Sequence, residues 1–322
     1  MKYLVQILMF FLFSSKHNAQ NLITNPSFED IDSCYGQPAG IGFDVFQWSG
    51  CVGWSCPIAS SSDLWCLNPI FGIIEPPSIS GLGYQYPRTG ENMAGLLMND
   101  GVIFSYREFI QNELQETLQN NVTYKLIFYH SPLKTDCSIN QFGVLASINQ
   151  MYEPSKFYLN DFVLNGVSDA NLFLGDTSTW NYCEIIFKAN GGEKFIVIGN
   201  FQDSTNTTYS EPCDTSFWGN LSYAGNYFFV DDVSLTKLPT QLEIPNVFTP
   251  NDDGINDFFI PSIVNYPNWK ITILNRWGNR IIVLDETNPI WYGDNTTEGV
   301  YFYRFECEEL NKFEQGYISI IR

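Results

Sequence analysis

Apolar residues in this chain come in short runs rich in Phe, Tyr, Val, Ile and Thr, set between clusters of Gly, Asn and Pro. Runs of that kind predict strands rather than helices. Strands are expected at 90–98, 122–131, 141–148, 180–189, 194–201 and 227–236. Residues 103–118 are mixed: the Glu/Gln/Leu-rich part suits a helical turn, and the same stretch equally suits a strand ending near Gln111. Many short strands divided by turns predict an antiparallel sandwich or jelly roll over 21–237. Before residue 83 the chain is irregular, with Trp48, Trp54 and Trp65 among turn formers.

Residues 238–245 read Leu-Pro-Thr-Gln-Leu-Glu-Ile-Pro, and two prolines without a periodic pattern predict a linker. Shorter strands follow at 245–248, 270–275, 280–284, 299–306 and 315–321. Between two of them, Arg276-Trp277-Gly278-Asn279-Arg280 reads as a hairpin turn, since Gly278 and Asn279 tolerate positive φ. A small Ig-like sandwich over 246–322 fits this pattern. The fold class is therefore all-β: a jelly-roll β-sandwich followed by a small Ig-like β-sandwich. Residues 1–20 differ from both, with Lys2, an apolar run from Tyr3 to Phe13 broken only by Gln6, and Asn18-Ala19-Gln20 at a plausible cut site. This is the pattern of a signal peptide. The run is too short to cross a bilayer and no later stretch approaches that length, so the mature chain is expected to have no transmembrane segment.

Charge narrows the partners. The chain has 16 basic and 35 acidic residues, a formal net charge of −19, which becomes −21 once Lys2 and Lys16 leave with the signal. Such a surface repels phosphate backbones and anionic membranes, which argues against nucleic acid. It suits Ca²⁺ binding, and it suits plain solubility. Eight cysteines remain after export: Cys34, Cys51, Cys56, Cys66, Cys137, Cys183, Cys213 and Cys307. In an oxidising compartment disulfides are the default, with local staples expected among the four between 34 and 66. Zinc is the rival chemistry, but paired C-x-x-C spacing is missing and only His17 and His130 exist.

Catalytic signatures are sparse. A Ser-His-Asp triad would need His130, which sits in a strand-like stretch where a structural role is the simpler reading. The sequence holds no G-x-S-x-G, no H-E-x-x-H and no phosphate-binding Gly loop. A glycoside hydrolase needs only two carboxylates and stays an alternative. Sugar binding needs exposed aromatic rings. Trp48, Trp54, Trp65 and Trp218 lie in loop-like sequence, and Tyr84 and Tyr86 alternate, so these six are the candidate ligand contacts. Burial under stapled loops is the competing reading for each loop Trp. Trp180 opens a strand and is expected in the core.

Two ends of the chain resemble known families. Val247-Phe248-Thr249-Pro250-Asn251-Asp252-Asp253-Gly254-Ile255-Asn256-Asp257-Phe258 resembles the opening block of the gliding-motility-associated C-terminal domain, the type B sorting domain of type IX secretion. Asp252 stands where that block has Gly. Ile271–Gly278, Glu298–Tyr303 and Gly316–Arg322 are similar to its later blocks in the same order, while Ile290-Trp291-Tyr292-Gly293 has Tyr292 in place of the usual Asp. The resemblance implies export through the periplasm and outer membrane, with the type IX translocon as partner and a secreted or cell-surface destination. Within the first block, Asn251, Asp253 and Asp257 read either as oxygen donors to Ca²⁺ or as Asx-turn formers.

At the other end, Asn25-Pro26-Ser27-Phe28-Glu29 and Tyr227-Phe228-Phe229-Val230-Asp231-Asp232-Val233-Ser234-Leu235 are similar to the first and last strands of galactose-binding-like, carbohydrate-binding jelly rolls. That resemblance implies a structural Ca²⁺ shared by Glu29 and Asp232, with Asp231 as the alternative. The reading without metal has the same carboxylates bonding backbone N–H groups. Residues 83–90, 106–111 and 191–201 are also similar to an exported domain of the same bacteria that is commonly joined to sorting or OmpA-like domains. The function expected is an exported, non-catalytic protein that binds glycan or another surface ligand. Adhesion to protein partners is the alternative.

Overall fold

The computed structural model describes residues 19–32, 51–58, 62–67, 85–99, 107–132, 139, 141–153, 155–156, 158–169, 179–202, 207 and 226–322. Residues 1–18 of the predicted signal peptide and Trp48, Tyr84 and Trp218 lie outside these residues. Among the described residues ten strands precede residue 238: β1 (Trp54–Ser55), β2 (Asp63–Cys66), β3 (Asn92–Asn99), β4 (Phe109–Glu113), β5 (Thr123–Pro132), β6 (Gly143–Ser147), β7 (Gly166–Val167), β8 (Asn181–Lys188), β9 (Phe195–Gly199) and β10 (Asn226–Lys237). They build two antiparallel five-stranded sheets, β1-β4-β9-β6-β7 and β2-β3-β10-β5-β8. The chain is all-β, and this part is a jelly-roll sandwich.

Strand alternation explains the packing between the sheets. On β5 the buried positions Tyr124, Leu126, Phe128 and His130 point inward. On β8 Cys183, Ile185 and Phe187 do the same, opposite Ile110, Val144, Ile196 and Ile198 of the first sheet. The strand at Phe109–Glu113 settles the mixed region 103–118 in favour of a strand. β10 keeps its apolar side inward despite a change of phase. Asp231 faces Tyr129 and Ser234 faces Ile127, so one extra residue is inserted between the pairs. Before this bulge Phe228 and Val230 are buried; after it Val233 and Leu235 are. The bulge turns Asp232 outward with φ 51°, a left-handed conformation that Asp tolerates better than most residues.

The two outer faces differ. That of the first sheet is roofed: Phe109, Leu145 and Val197 pack against Ile58, Leu159 and Phe201. Gln111 pins the roof by accepting from the Met151 N–H at 2.8 Å and donating to its carbonyl at 3.2 Å. The outer face of the second sheet stays open near β5 and β8, where Tyr182 and Ile186 are about half exposed.

From residue 241 a second set of strands begins: β11 (Gln241–Glu243), β12 (Val247–Phe248), β13 (Ser262–Val264), β14 (Lys270–Leu274), β15 (Arg280–Asp285), β16 (Gly299–Cys307) and β17 (Lys312–Ile320). Their sheets are β11-β13 and β12-β17-β16-β14-β15, around a core of Phe248, Phe259, Trp269, Ile271, Ile273, Trp291 and Phe305. This is the small Ig-like sandwich. The 238–245 stretch, expected as a linker, is a strand in its middle. Leu242 and Ile244 pack against that second core and Gln241–Glu243 pair with β13. The prolines at 239 and 245 bracket a strand instead of marking unpaired chain.

Asn265 joins the two sandwiches. Its Oδ1 accepts from the Thr123 N–H at 2.6 Å, and its Nδ2 donates to the carbonyls of Thr123 and Leu238. The side-chain amide thus acts as one more backbone unit at the end of β5. Lys188 and Glu286 add an ion pair at 2.9 Å.

Candidate functional site

The open face of the second sheet carries a band of aromatic rings. Outward positions on neighbouring strands bring Tyr129 on β5 beside Tyr182 on β8, 5.8 Å apart and edge to face. The chain at 85–89 crosses this face. Gln85 donates to the Ser131 hydroxyl at 2.8 Å, and the Trp180 indole donates to the Tyr86 carbonyl at 3.1 Å. Tyr86 is 51 % exposed and Tyr182 47 % exposed. Further along the same face Trp65, Tyr227 and Phe229 form a tighter group. The Trp65 ring lies 6.2 Å from Phe229, and its indole N–H donates to the Tyr227 hydroxyl at 2.8 Å. Tyr227 donates in turn to Asp63. Gly95 makes this possible, because a Cβ there would collide with the Tyr227 hydroxyl and the Trp65 indole. Burial, followed by the Asp63 and Glu108 carboxylates, holds the Tyr227 phenol well above its ordinary pKa.

The expected ligand contacts therefore separate. Tyr86 lies on the exposed band. Trp65 is on the same face but half-buried, locked by Tyr227. Trp54 is 4 % exposed, its ring tilted against Phe28 with centroids 4.6 Å apart and its indole bonded to the Asn25 carbonyl at 2.8 Å, so it belongs to the core. Trp180, expected in the core, is half-buried on the outer face instead. Its parity along β8 is that of Tyr182, Glu184, Ile186 and Lys188, all outward positions. Tyr129, Tyr182 and Arg88 were not among the expected contacts. Alternation along the strands was the signal that places Trp180 and Tyr182 outward.

Beside the band, the chain start meets the last strand. Asp232 Oδ1 accepts from the hydroxyls of Ser27 and Thr89, each at 2.6 Å, and its Oδ2 pairs with the Arg88 guanidinium. That guanidinium lies 3.4 Å above the centre of the Tyr129 ring. Asp231, fully buried, accepts from the N–H groups of Arg88 at 2.8 Å, Thr89 at 3.2 Å and Asp232 at 2.7 Å. Glu29 Oε1 accepts from the N–H groups of Glu91 and Asn92, both at 2.9 Å, and Oε2 from the Asn92 side chain at 3.1 Å. Gly90, at φ 66°, leaves room for the Glu29 carboxylate. Burial raises the Asp231 carboxyl to about 7, with the Asp232 charge adding to it. Burial also resists ionisation of Asp232, but the donors from Ser27, Thr89 and Arg88 outweigh it and hold that carboxyl below its ordinary range.

A calcium ion needs six to eight oxygens converging on one centre. Here Glu29, Asp231 and Asp232 turn their oxygens onto N–H groups, hydroxyls and a guanidinium, and no group of three or more acidic, Cys or His side chains able to hold a metal occurs among the described residues. The residues do not fit the ion that the carbohydrate-binding resemblance implied. At 251–257 the outcome is similar. Asp257 accepts from the N–H groups of Asn251, Asp252 and Gly254 at 3.1, 2.8 and 2.7 Å. Asp253 accepts from the Ile255 N–H at 2.8 Å and from the Asn251 side chain at 3.2 Å. This is a nest of Asx turns. What desolvation Asp257 has would raise its carboxyl, but the backbone donors dominate and lower it.

His130 is fully buried among Phe128, Phe142 and Phe228, and among the described residues neither ring nitrogen has a hydrogen-bond partner. Burial lowers its pKa to about 3, so it stays neutral and out of reach of any substrate. Among the described residues Cys66 is disulfide-bonded, while Cys51, Cys56, Cys183 and Cys307 are free thiols; Cys34, Cys137 and Cys213 lie outside the described residues. Burial raises the thiols of Cys51, Cys56 and Cys183 to about 12, which keeps them protonated and unreactive.

Residues 242–320 match the CHU_C type IX secretion signal domain. The chain is thus handled by the type IX machinery, exported, and either secreted or held at the cell surface. No helix among the described residues is long and apolar enough to cross a membrane. No curated protein matches the sequence. Among solved structures, the enzymatically active domain of bacteriophage CBA120 tailspike protein 4 aligns with 68 % of this chain at 8 % identity and a TM-score of 0.31. This chain covers only 21 % of that protein. The adhesin domain of Epf from Streptococcus pyogenes aligns over 94 % of this chain and 97 % of its own length, at 8 % identity and a TM-score of 0.31. The CBM22-1-GH10 modules of Clostridium thermocellum xylanase 10B align over 68 % of this chain and 33 % of their own, at 12 % identity and a TM-score of 0.29. These likenesses carry no argument about activity.

Proposed function

We propose that this exported chain is a non-catalytic binding protein whose front sandwich holds glycan against the aromatic band of Tyr86, Trp180 and Tyr182. The observation that supports this reading is the exposure of Tyr86 and Tyr182 on a sheet face whose counterpart is roofed. Flat aromatic rings stack against the C–H faces of sugars, and neighbouring Glu184 and Lys125 supply hydrogen-bond partners for hydroxyls. Tyr182 is carried on β8 and the Trp180 indole is tied to the Tyr86 carbonyl, which limits the entropy lost on binding. Histidine-based catalysis is disfavoured because His130 is sealed in the core.

The test is a glycan array probed with the purified full-length mature chain. Binding to at least one glycan class is expected, and Tyr182→Ala or Tyr86→Ala should each weaken it at least fivefold, about 1 kcal/mol. If no glycan binds but the chain attaches to cells or purified proteins, the reading fails in favour of adhesion. Turnover of labelled polysaccharide would overturn it in favour of hydrolysis.

A further inference from the structure

The meeting point of residues 25–30, 88–92 and 231–233 joins segments more than 200 positions apart. Ser27 bonds to Asp232 across 205 residues and Arg88 across 144. The Val233 N–H adds a bond to the Pro26 carbonyl at 2.9 Å. The carboxylates of Glu29, Asp231 and Asp232 all face protons. Glu29 meets the N–H groups of Glu91 and Asn92, and Asp231 meets those of Arg88, Thr89 and Asp232. Asp232 meets two hydroxyls and a guanidinium.

Arg88 is held in place independently of its ion pair. Its own N–H is fixed on Asp231, and its guanidinium lies 3.4 Å above the Tyr129 ring. The fork reaches Asp232 at the bulge of β10, where positive φ turns the carboxylate out of the sheet. We propose that the Arg88 guanidinium is the built-in cation that closes this sandwich, occupying the place a bound metal ion would take, so that closure depends on Arg88 and not on calcium.

A guanidinium suits this role. It is always charged, its planar fork offers several donors, and its face stacks on an aromatic ring, so one side chain satisfies Asp232 and Tyr129 together. A calcium ion would have to displace it and would find N–H donors where it needs lone pairs.

Thermal unfolding of the full mature chain tests the proposal. The midpoint is expected to stay the same with EGTA and with saturating calcium chloride. A rise with calcium, or a fall with EGTA, would overturn it. Arg88→Ala should lower the midpoint of the front sandwich by several degrees, and an unchanged midpoint would also overturn it. Arg88→Lys, which keeps the charge but loses the fork and the stacking, stands in where the alanine variant does not fold and should fall between. A double-mutant cycle with Asp232→Asn decides whether the two act as a pair. The losses should fail to add, because either substitution breaks the same contact. Fully additive losses would show that Arg88 acts elsewhere.

Discussion

The two sandwiches close themselves in opposite ways. The front one ties its first residues to its last strand through side chains from distant parts of the sequence: Ser27, Glu29, Arg88, Thr89, Asp231 and Asp232. The rear one ties its second strand, β12, to its last, β17, through the backbone, while the side chains of its turns bond within a few residues. Asp257 gathers the N–H groups of Asn251, Asp252 and Gly254, Asn275 accepts from Trp277 and Asn279, and Asp285 accepts from Thr287 and Asn288. Local closure writes itself into a contiguous motif; distant closure leaves only scattered polar residues. The secretion signal is the half with the local turn bonds.

Deleting residues 241–322 has the largest expected effect. The secretion signal and the Asn265 bracket on Thr123 are both lost. Surface delivery should be abolished, measured as protease-accessible protein on intact cells. Undiminished delivery would mean that the export information lies in the front sandwich, and the contrast drawn above would lose its functional meaning.

The same contrast governs what the sequence disclosed. Asn251–Asp257 and Arg276–Arg280 were readable because each turn residue bonds within six positions of itself. Most strands were readable because one buried face sets their pattern. The short strands Trp54–Ser55, Asp63–Cys66 and Gly166–Val167 were missed, because two to four residues carry too little pattern. Gln241–Glu243 was hidden between prolines, and its partner β13 lies some 20 residues on. In the candidate site, Glu29, Asp231 and Asp232 could be named, but not what they hold. Arg88 and Thr89 meet them only through the crossing of 85–92, a long-range event. Trp54 looked like a loop residue because the turn formers around it are obvious, while the ring that buries it, Phe28, is 26 positions away.

Core substitutions sharpen the comparison at a smaller scale. Phe228 and Phe305 are both fully buried, one in each core. Phe→Ala at such sites costs about 3–5 kcal/mol, from lost transfer energy and the cavity left behind. Phe228→Ala should lower the front unfolding transition and leave the rear one in place; Phe305→Ala should do the reverse. Differential scanning calorimetry of the full chain reads both. If each variant moves both transitions together, the Asn265 bracket and the Lys188–Glu286 pair couple the sandwiches into one cooperative unit.

The smallest effect expected is a pH response confined to the front closure. Burial, with the neighbouring Asp232 charge, raises the Asp231 carboxyl from 3.8 to about 7, so the folded chain holds that proton more tightly than the unfolded chain does. The stability it contributes is fully present below the unfolded value and is lost as pH rises through about 7. Asp232 has the opposite sign. Its carboxyl is lowered, so its contribution is present above the unfolded value and disappears as acid protonates it. Together they predict a front-sandwich midpoint that climbs as pH falls from about 7 towards 4, then drops at lower pH. In the rear sandwich the carboxyls of Asp257 and Asp285 are both lowered, so its midpoint should fall with acid. Asp231→Asn should flatten the climb while leaving the drop, because Asn neither gains nor loses a proton in that window. Midpoints measured across pH 4–8 would show the two transitions diverging; a front transition that fell steadily from neutral pH would mean that the three N–H donors on Asp231 outweigh its burial.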